Sequence, residues 1–175
     1  MNTNEAMKLI REIPDFPKQG ILFQDITPLL SNAQAFSAVI THMANSVPDF
    51  DFVAGMEARG FIFAASIASQ SNRGFIPIRK AGKLPADTHS ESYGLEYGDD
   101  ILQIHRDACT AHARVLIVDD VLATGGTACA AISLIQKTGA SVSKLIFLLE
   151  IEALKGRDNI LLKFPDMDIQ SLKKI

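Results

Sequence analysis

The segment 115–138 constrains the fold of this chain more than any other part of its sequence. Residues Val115–Val118 form a continuous apolar run, which is typical of a strand covered on both faces. Two acids, Asp119 and Asp120, end the run, and a loop containing two glycines leads to a largely apolar stretch closed by Gly139. The segment therefore predicts a buried strand, a loop and a helix in direct succession.

The same order of elements recurs along the chain. Short apolar runs alternate with stretches whose apolar residues follow helical spacing. We predict strands at 52–55, 74–78 and 145–149 and helices at 60–70 and 127–138. Alternation at this spacing implies parallel strands joined by right-handed crossovers. The predicted fold class is therefore α/β, with a mostly parallel sheet flanked by helices.

Two stretches depart from this pattern. Residues 80–106 are rich in glycine and proline and predict an insertion with a mobile loop and an antiparallel flap that turns at Gly98–Asp100. Near the N-terminus we predict a helix from Asn4 to Ile13, which stops because the residue before a proline is disfavoured in the helical region. At 175 residues the chain fits one domain.

Composition excludes several classes of function. The net charge is −3 with both signs spread along the chain, which argues against nucleic acid as a partner. No apolar run approaches the roughly 20 residues that a membrane span needs. The N-terminus shows no signal peptide, so we expect a cytoplasmic protein. The two cysteines and four histidines match no metal or disulfide spacing and are interpreted as structural.

The acids and the loop after the apolar run suit one ligand. Ligands of open α/β sheets bind outside the carboxyl ends of the strands, so Asp119 and Asp120 are expected to face a ligand. Glycines let a ligand approach the backbone, and amides at a helix N-terminus attract a phosphate. A ribose 5-phosphate satisfies both features, because its hydroxyls can donate to the acids. Its phosphate would lie in the loop Ala123, Thr124, Gly125, Gly126 and Thr127.

Other loop motifs fit less well. No lysine follows the glycines, so the nucleoside-triphosphate loop is absent, and the dinucleotide pattern of spaced glycines is absent too. An ordinary strand–turn–helix with a capping threonine is the structural alternative. It explains the glycines, but it does not explain two acids at the end of a buried strand.

The segment 115–127 resembles the signature of phosphoribosyltransferases that use phosphoribosyl pyrophosphate. Further segments resemble the adenine phosphoribosyltransferases in order and spacing, so that the likeness covers nearly the whole chain. These segments are Pro14–Pro28, Glu57–Phe61, Arg79–Pro85, Tyr93–Gly98 and Leu154–Arg157. The first of them resembles the family's N-terminal hood, which we place at about residues 1–35.

The resemblance implies a reaction in which adenine and phosphoribosyl pyrophosphate give AMP and pyrophosphate. Asp119 and Asp120 would hold the ribose hydroxyls. Glu96, on the flap, would accept a proton near the purine, and Arg59 would be the second catalytic residue. The pyrophosphate would be bound by Glu57, Ala58, Arg59, Arg79, Lys80 and Lys83.

The resemblance also implies how adenine and magnesium are bound. Backbone groups at Leu22 and Gln24 would recognise adenine, although the family often has arginine where Gln24 stands. A backbone contact would survive that change. Mg²⁺ would arrive bound to phosphoribosyl pyrophosphate, without dedicated protein ligands. The resemblance further implies a homodimer, whose interface Lys155–Arg157 would approach.

Three alternatives remain open from the sequence. The chain would be a phosphoribosyltransferase for another nucleobase, a non-enzymatic regulator that binds phosphoribosyl pyrophosphate, or a generic nucleotide-binding domain. A regulator of this kind should carry a nucleic-acid-binding module, and the sequence shows no strong basic face. A generic domain leaves the segments around Leu22 and Glu96 unexplained.

Overall fold

The computed structural model describes residues 1–47, 49–95 and 98–175, which form two compact units, Met1–Ser46 and Val47–Ile175. Among the described residues, no helix is long and apolar enough to span a membrane. The predicted bounds of the single domain and of the hood stay predictions.

The larger unit is built on a seven-stranded sheet. Its strands are β3 (Phe52–Met56), β4 (Gly74–Lys80), β5 (Thr88–Leu95), β6 (Gly98–His105), β7 (Arg114–Leu122), β8 (Ser141–Glu150) and β9 (Ile169–Lys174). In space they follow the order β5-β6-β4-β3-β7-β8-β9. The strands from β4 to β9 in this order are parallel, and β6 pairs antiparallel with both β4 and β5. The predicted α/β class is confirmed.

The helices of the larger unit follow the strands. They are α4 (Gly60–Gln70), α5 (Gly126–Lys137) and α6 (Gly156–Lys163), with a short 3₁₀ turn at Glu152–Leu154. Strand β7 is buried on both faces, as its apolar run predicts. Val115 and Ile117 belong to the apolar cluster that includes Ala131 and Ile135 of α5. Because side chains alternate along a strand, Leu116 and Val118 face the other way.

The smaller unit corrects the prediction for the N-terminus. Helix α1 covers Thr3–Met7 only, and Arg11–Pro14 is a strand, β1, paired antiparallel with β2 (Leu22–Asp25). The predicted helix as far as Ile13 is therefore wrong. The pairing explains the error, since Arg11 donates to Asp25 at 2.6 Å across the two strands. Helices α2 (Thr27–Ser31) and α3 (Ala33–Asn45) complete the unit.

The flap is an antiparallel pair of β5 and β6, in agreement with the prediction, but the residues predicted to form its turn belong to a strand. Gly98, Asp99 and Asp100 belong to β6, so the predicted turn at these residues is wrong. The pairing of Lys80 with Leu102 joins β6 to the end of β4. Strand β5 also contacts the last residue of α5, because Glu91 forms an ion pair of 2.5 Å with Lys137.

An ion pair between the buried Glu150 and the partly exposed Arg157 joins β8, α6 and β9. The carboxylate of Glu150, 5% exposed, accepts two hydrogen bonds from Arg157, at 2.9 and 2.6 Å. It accepts a third from Ser171 at 2.7 Å, and Arg157 also donates to the carbonyl of Ile169 at 2.7 Å. Both charges are thus satisfied within the chain, and removing Arg157 would leave the charge of Glu150 buried without compensation.

We predict that Arg157→Leu lowers the free energy of unfolding by about 3 kcal/mol, because it leaves the Glu150 carboxylate buried and unpaired. Arg114→Leu is the matched control, since Arg114 is 44% exposed and pairs with the exposed Asp49 at 3.1 Å. Its loss should be at most about 1 kcal/mol. Chemical denaturation measures the free energy of unfolding of both variants. Equal decreases in the two variants would contradict the prediction.

Candidate active site

Two loops that carry predicted site residues lie at the same edge of the sheet. Strand β3 pairs in parallel with β7, with Gly55 opposite Val118. The carboxyl ends of the two strands therefore meet. The loop after β3 contains Glu57, Ala58 and Arg59, and the peptide bond between Glu57 and Ala58 is cis.

Both predicted ribose acids contact the beginning of α4. The carboxylate of Asp120, which is 6% exposed, lies 2.5 Å from Nε of Arg59 through its Oδ2 atom. Oδ1 of Asp119 accepts the Asp120 amide at 3.0 Å. A Cβ at Gly60 would lie 2.6 Å from the same oxygen, so only glycine permits this approach. Strand β7 continues to Leu122, beyond the apolar run that ends at Val118, and still brings both acids to one place.

The electrostatics of the two acids follow from their burial. Removal from water raises the pKa of Asp119 well above its ordinary value, and the neighbouring Asp120 raises it further. Burial also raises the pKa of Asp120, while the charge of Arg59 acts in the opposite direction on both carboxyls. The fold thus holds two carboxylates close together at a cost that Arg59 offsets in part.

The predicted phosphate loop has the conformation that its glycines suggest. Gly125 precedes α5 with φ +83, and Gly126 is the first residue of that helix. Asp119 and the loop residues line one cavity of about 60 Å³. The loop residues in that lining are Ala123, Thr124, Gly125 and Thr127. The structure therefore brings the predicted ribose and phosphate positions together.

Helix α6 contacts the phosphate loop, and the sequence did not predict this contact. Asn159 donates to the carbonyl of Thr124 at 2.9 Å. A Cβ at Gly156 would overlap the carbonyl oxygen of Ala123, so the helix begins directly against the loop. The resemblance of Leu154–Arg157 to the family drew attention to Gly156, but it indicated no contact with the phosphate loop, and Asn159 lies beyond that segment.

Three of the predicted pyrophosphate cations, Arg79, Lys80 and Lys83, are connected through side-chain or backbone contacts, and acids accompany them. Arg79 forms an ion pair of 3.2 Å with Glu57 and donates to the carbonyl of Lys83 at 3.1 Å. Glu57 also accepts the backbone amide of Lys80 at 3.1 Å. The hydrogen bond from Arg79 is the main cause of a lowered pKa at Glu57. Glu57 therefore acts in this cluster by holding Arg79.

Lys80 has its own acid on the flap. Its Nζ lies 3.1 Å from Oδ2 of Asp100, and the same oxygen accepts the Tyr93 hydroxyl at 3.0 Å. These contacts, that with Lys80 foremost, lower the pKa of Asp100. Sequence reasoning gave neither Tyr93 nor Asp100 a role. The Tyr93–Gly98 segment drew attention to the strand, but partners across the flap are visible only in the folded chain.

Three further predicted residues belong to other parts of the chain. Leu22 and Gln24 lie on β2 of the smaller unit, where Oε1 of Gln24 is buried without a hydrogen-bond partner among the described residues. Glu96 lies outside the described residues. The roles predicted for these three residues stay predictions.

Comparison with known proteins identifies the class. The family model for the phosphoribosyl transferase domain matches residues 27–173. This match covers most of the chain and includes both acids, the loop and the flap. The chain therefore belongs to the phosphoribosyltransferases.

Individual relatives with high sequence identity to this chain define the family within this class. A protein of Thermoanaerobacter sp. named adenine phosphoribosyltransferase is 51% identical over 176 residues, covering 99% of each chain. The crystal structure of adenine phosphoribosyltransferase from Thermoanaerobacter pseudethanolicus has a TM-score of 0.92 at 49% identity and covers 99% of this chain and 100% of its own. That from Saccharomyces cerevisiae, solved with adenine, has a TM-score of 0.90 at 35% identity over 97% of each. The chain belongs to the adenine phosphoribosyltransferase family.

We predict that Asp119→Asn raises the free energy of unfolding by about 1 kcal/mol at pH 7 while it lowers turnover, because it removes a buried charge at the site. The asparagine oxygen can still accept the Asp120 amide. Folding raises the pKa of Asp119, so the wild type loses stability as pH rises from the ordinary value of 3.8 through the raised value. The gain should therefore vanish near pH 4.

Chemical denaturation from pH 4 to 8 measures this gain. Asp49→Asn removes a carboxylate of similar chemistry that is 70% exposed, and it serves as the control. A variant at residue 119 that is no more stable than the wild type at pH 7 would show that burial of this charge costs nothing.

Proposed function

We propose that this chain transfers the phosphoribosyl group of phosphoribosyl pyrophosphate to adenine, giving AMP and pyrophosphate, as in purine salvage. The cavity that Asp119 shares with the phosphate loop is the observation that carries the proposal. Membership of the adenine phosphoribosyltransferase family supports it. So does the Saccharomyces cerevisiae relative, whose structure contains adenine.

The site suits the first part of this reaction, which is to hold the sugar. The amides at the N-terminus of α5 and the hydroxyls of Thr124 and Thr127 bind the 5-phosphate. Asp119 and Asp120 accept hydrogen bonds from the ribose hydroxyls. With both ends of the sugar fixed, C1 stays in reach of the base and of the leaving group.

The second part is the exchange of bonds at C1. The bond from C1 to the pyrophosphate oxygen breaks as a ring nitrogen of adenine forms its bond to C1. The sugar develops oxocarbenium-like positive charge, as in glycoside cleavage. Nearby carboxylates stabilise this charge, and Arg59, Arg79, Lys80 and Lys83 stabilise the negative charge on the departing pyrophosphate. Glu96 takes the proton that adenine loses.

We also propose that Mg²⁺ binds together with phosphoribosyl pyrophosphate. The ion would be carried by the substrate, because Mg²⁺ usually keeps water and substrate oxygens as its ligands and needs no dedicated protein ligands. Oδ2 of Asp120 is buried beside Arg59, so this carboxylate already faces a cation of the protein. When bound, Mg²⁺ would neutralise charge on the pyrophosphate.

Location and assembly belong to the proposal as well. We propose that the enzyme works in the cytoplasm and forms a homodimer, which its family resemblance supports. Sedimentation analysis of the purified chain tests the dimer.

The decisive experiment for the proposed function is an assay of pyrophosphate release with phosphoribosyl pyrophosphate and one base at a time. The bases are adenine, hypoxanthine, guanine, xanthine and orotate. We expect release with adenine at least roughly 100-fold faster than with the others, because a site that hydrogen bonds one base leaves polar groups unpaired with another. Faster release with another base, or binding of phosphoribosyl pyrophosphate without release, would overturn the proposal.

We predict that Glu96→Gln lowers kcat with adenine by about 100-fold, the lower end of what a general base contributes. Glu91→Gln is the matched control on the same flap, because the Glu91 carboxylate pairs with Lys137 instead. It should retain turnover. Full turnover in the Glu96→Gln variant would show that another group accepts the proton.

A further inference from the structure

The backbones of α6 and of the phosphate loop are in direct contact. A Cβ at Gly125 would lie 2.5 Å from the carbonyl oxygen of Gly156, and a Cβ at Gly156 would overlap the carbonyl oxygen of Ala123. Cγ1 of Ile160, which is fully buried, lies 3.2 Å from the same Cβ position at Gly125. Glycine at both residues therefore lets the first turn of α6 approach the loop.

Two successive carbonyl groups of the loop point towards α6. The carbonyl oxygen of Ala123 faces Gly156, because a Cβ at Gly156 would overlap it. The carbonyl oxygen of Thr124 accepts a hydrogen bond of 2.9 Å from the side-chain amide of Asn159. Helix α6 thus determines the side of the loop on which both oxygens lie.

The orientation of these carbonyl groups determines that of two amides. The peptide bonds from Ala123 to Thr124 and from Thr124 to Gly125 are trans. In a planar trans peptide the N–H points opposite to the C=O. The amides of Thr124 and Gly125 therefore point away from α6.

The cavity that Asp119 shares with the loop lies on the side to which these amides point. It is lined from β3, β7, α5 and β8 as well as from the loop. The loop therefore lies between α6 and the cavity, with its carbonyl groups towards the helix. Successive amides that point to one side of a turn form a binding site for an anion.

The peptide between Thr124 and Gly125 has an alternative orientation that the contact with Asn159 opposes. Gly125 has φ +83, and a glycine populates negative φ about as readily, so this peptide can turn over at little steric cost. A turned peptide would direct a carbonyl oxygen at the phosphate in place of an N–H. The hydrogen bond from Asn159 stabilises the orientation that binds an anion before the ligand arrives, which lowers the cost of binding.

We propose that Asn159 is a positioning residue for the 5-phosphate, because its contact with the carbonyl of Thr124 holds the amide of Gly125 towards the bound phosphate. The inference rests on the proposed function, which assigns the 5-phosphate to the loop. It adds a residue outside the loop that determines the affinity for a sugar 5-phosphate. Ribose 5-phosphate and phosphoribosyl pyrophosphate carry this group, whereas pyrophosphate lacks it.

The experiment replaces Asn159 with leucine, which has a similar size and no hydrogen-bond donor. Asn159→Leu should bind ribose 5-phosphate roughly three- to tenfold more weakly, as expected for the loss of one hydrogen bond between neutral groups. Magnesium pyrophosphate should bind with unchanged affinity. Isothermal titration calorimetry measures both ligands. Thermal unfolding checks the fold, and Asn159→Ala takes the place of Asn159→Leu if the latter does not fold.

Steady-state kinetics separates this positioning role from damage to the chemistry at C1. The 5-phosphate keeps its charge while the bonds at C1 exchange, so its contacts stabilise the bound substrate and the transition state alike. In Asn159→Leu the KM for phosphoribosyl pyrophosphate should therefore rise, while kcat stays within roughly twofold of the wild type. Equal weakening of both ligands, or a fall in kcat at unchanged KM, overturns the inference.

Leu162→Gln is the matched control on the same helix. The side chain of Leu162 is 81% exposed, so its replacement changes the surface of α6 without removing a contact to the loop. This variant should leave the affinities for both ligands unchanged. If it weakens ribose 5-phosphate as much as Asn159→Leu does, any change in α6 disturbs the loop and the specific role of Asn159 is wrong.

Thr127→Val separates the inference from the proposed function, because it removes a hydroxyl that the proposed function assigns to the 5-phosphate. If Thr127→Val weakens ribose 5-phosphate, the assigned phosphate site stands, and unchanged affinity in Asn159→Leu then overturns the inference alone. If Thr127→Val leaves the affinity unchanged, the assigned phosphate site fails and the inference fails with it.

Discussion

The parallel pairing of β3 with β7 sets the position of every group at the site, because it places two strand ends side by side. With Gly55 opposite Val118, the loop after β3 runs beside the acids of β7. Helix α4 then begins so close to the strand that only a glycine fits at residue 60. Arg59, the residue before it, reaches Asp120 for the same reason. The charge pair at the site is thus a consequence of backbone register.

That register is stable because the strands beneath it are apolar on both faces. Val115–Val118 are fully buried, and helices cover the sheet. Two buried carboxylates with raised pKa values oppose folding. Burial of the apolar core offsets this unfavourable contribution to the free energy of folding. Function therefore occupies the one end of β7 where the apolar run stops, and stability comes from the rest of the strand.

The sequence predicted best what depends on local order. The strand, loop and helix from 115 to 138 are contiguous in sequence. Their apolar pattern and their glycines therefore predict the structure without knowledge of any distant partner. The N-terminal error has the opposite cause: Arg11–Pro14 is a strand only because Leu22–Asp25 pairs with it. The flap shows the same limit. Asp100 looks like a turn residue in the sequence, whereas the fold makes it the partner of Lys80 and Tyr93.

The acids that pair with the cations of the site also affect the release of the product pyrophosphate. A site with free cations would hold pyrophosphate most tightly when the reaction is over and the ion has to depart. Here Glu57 lies against Arg79, and Asp100 lies against Lys80. In the proposed reaction, each acid can pair with its cation again as the pyrophosphate leaves, so the cations need not face water without a partner. Such pairing lowers the barrier to product release, a step that limits turnover in many enzymes.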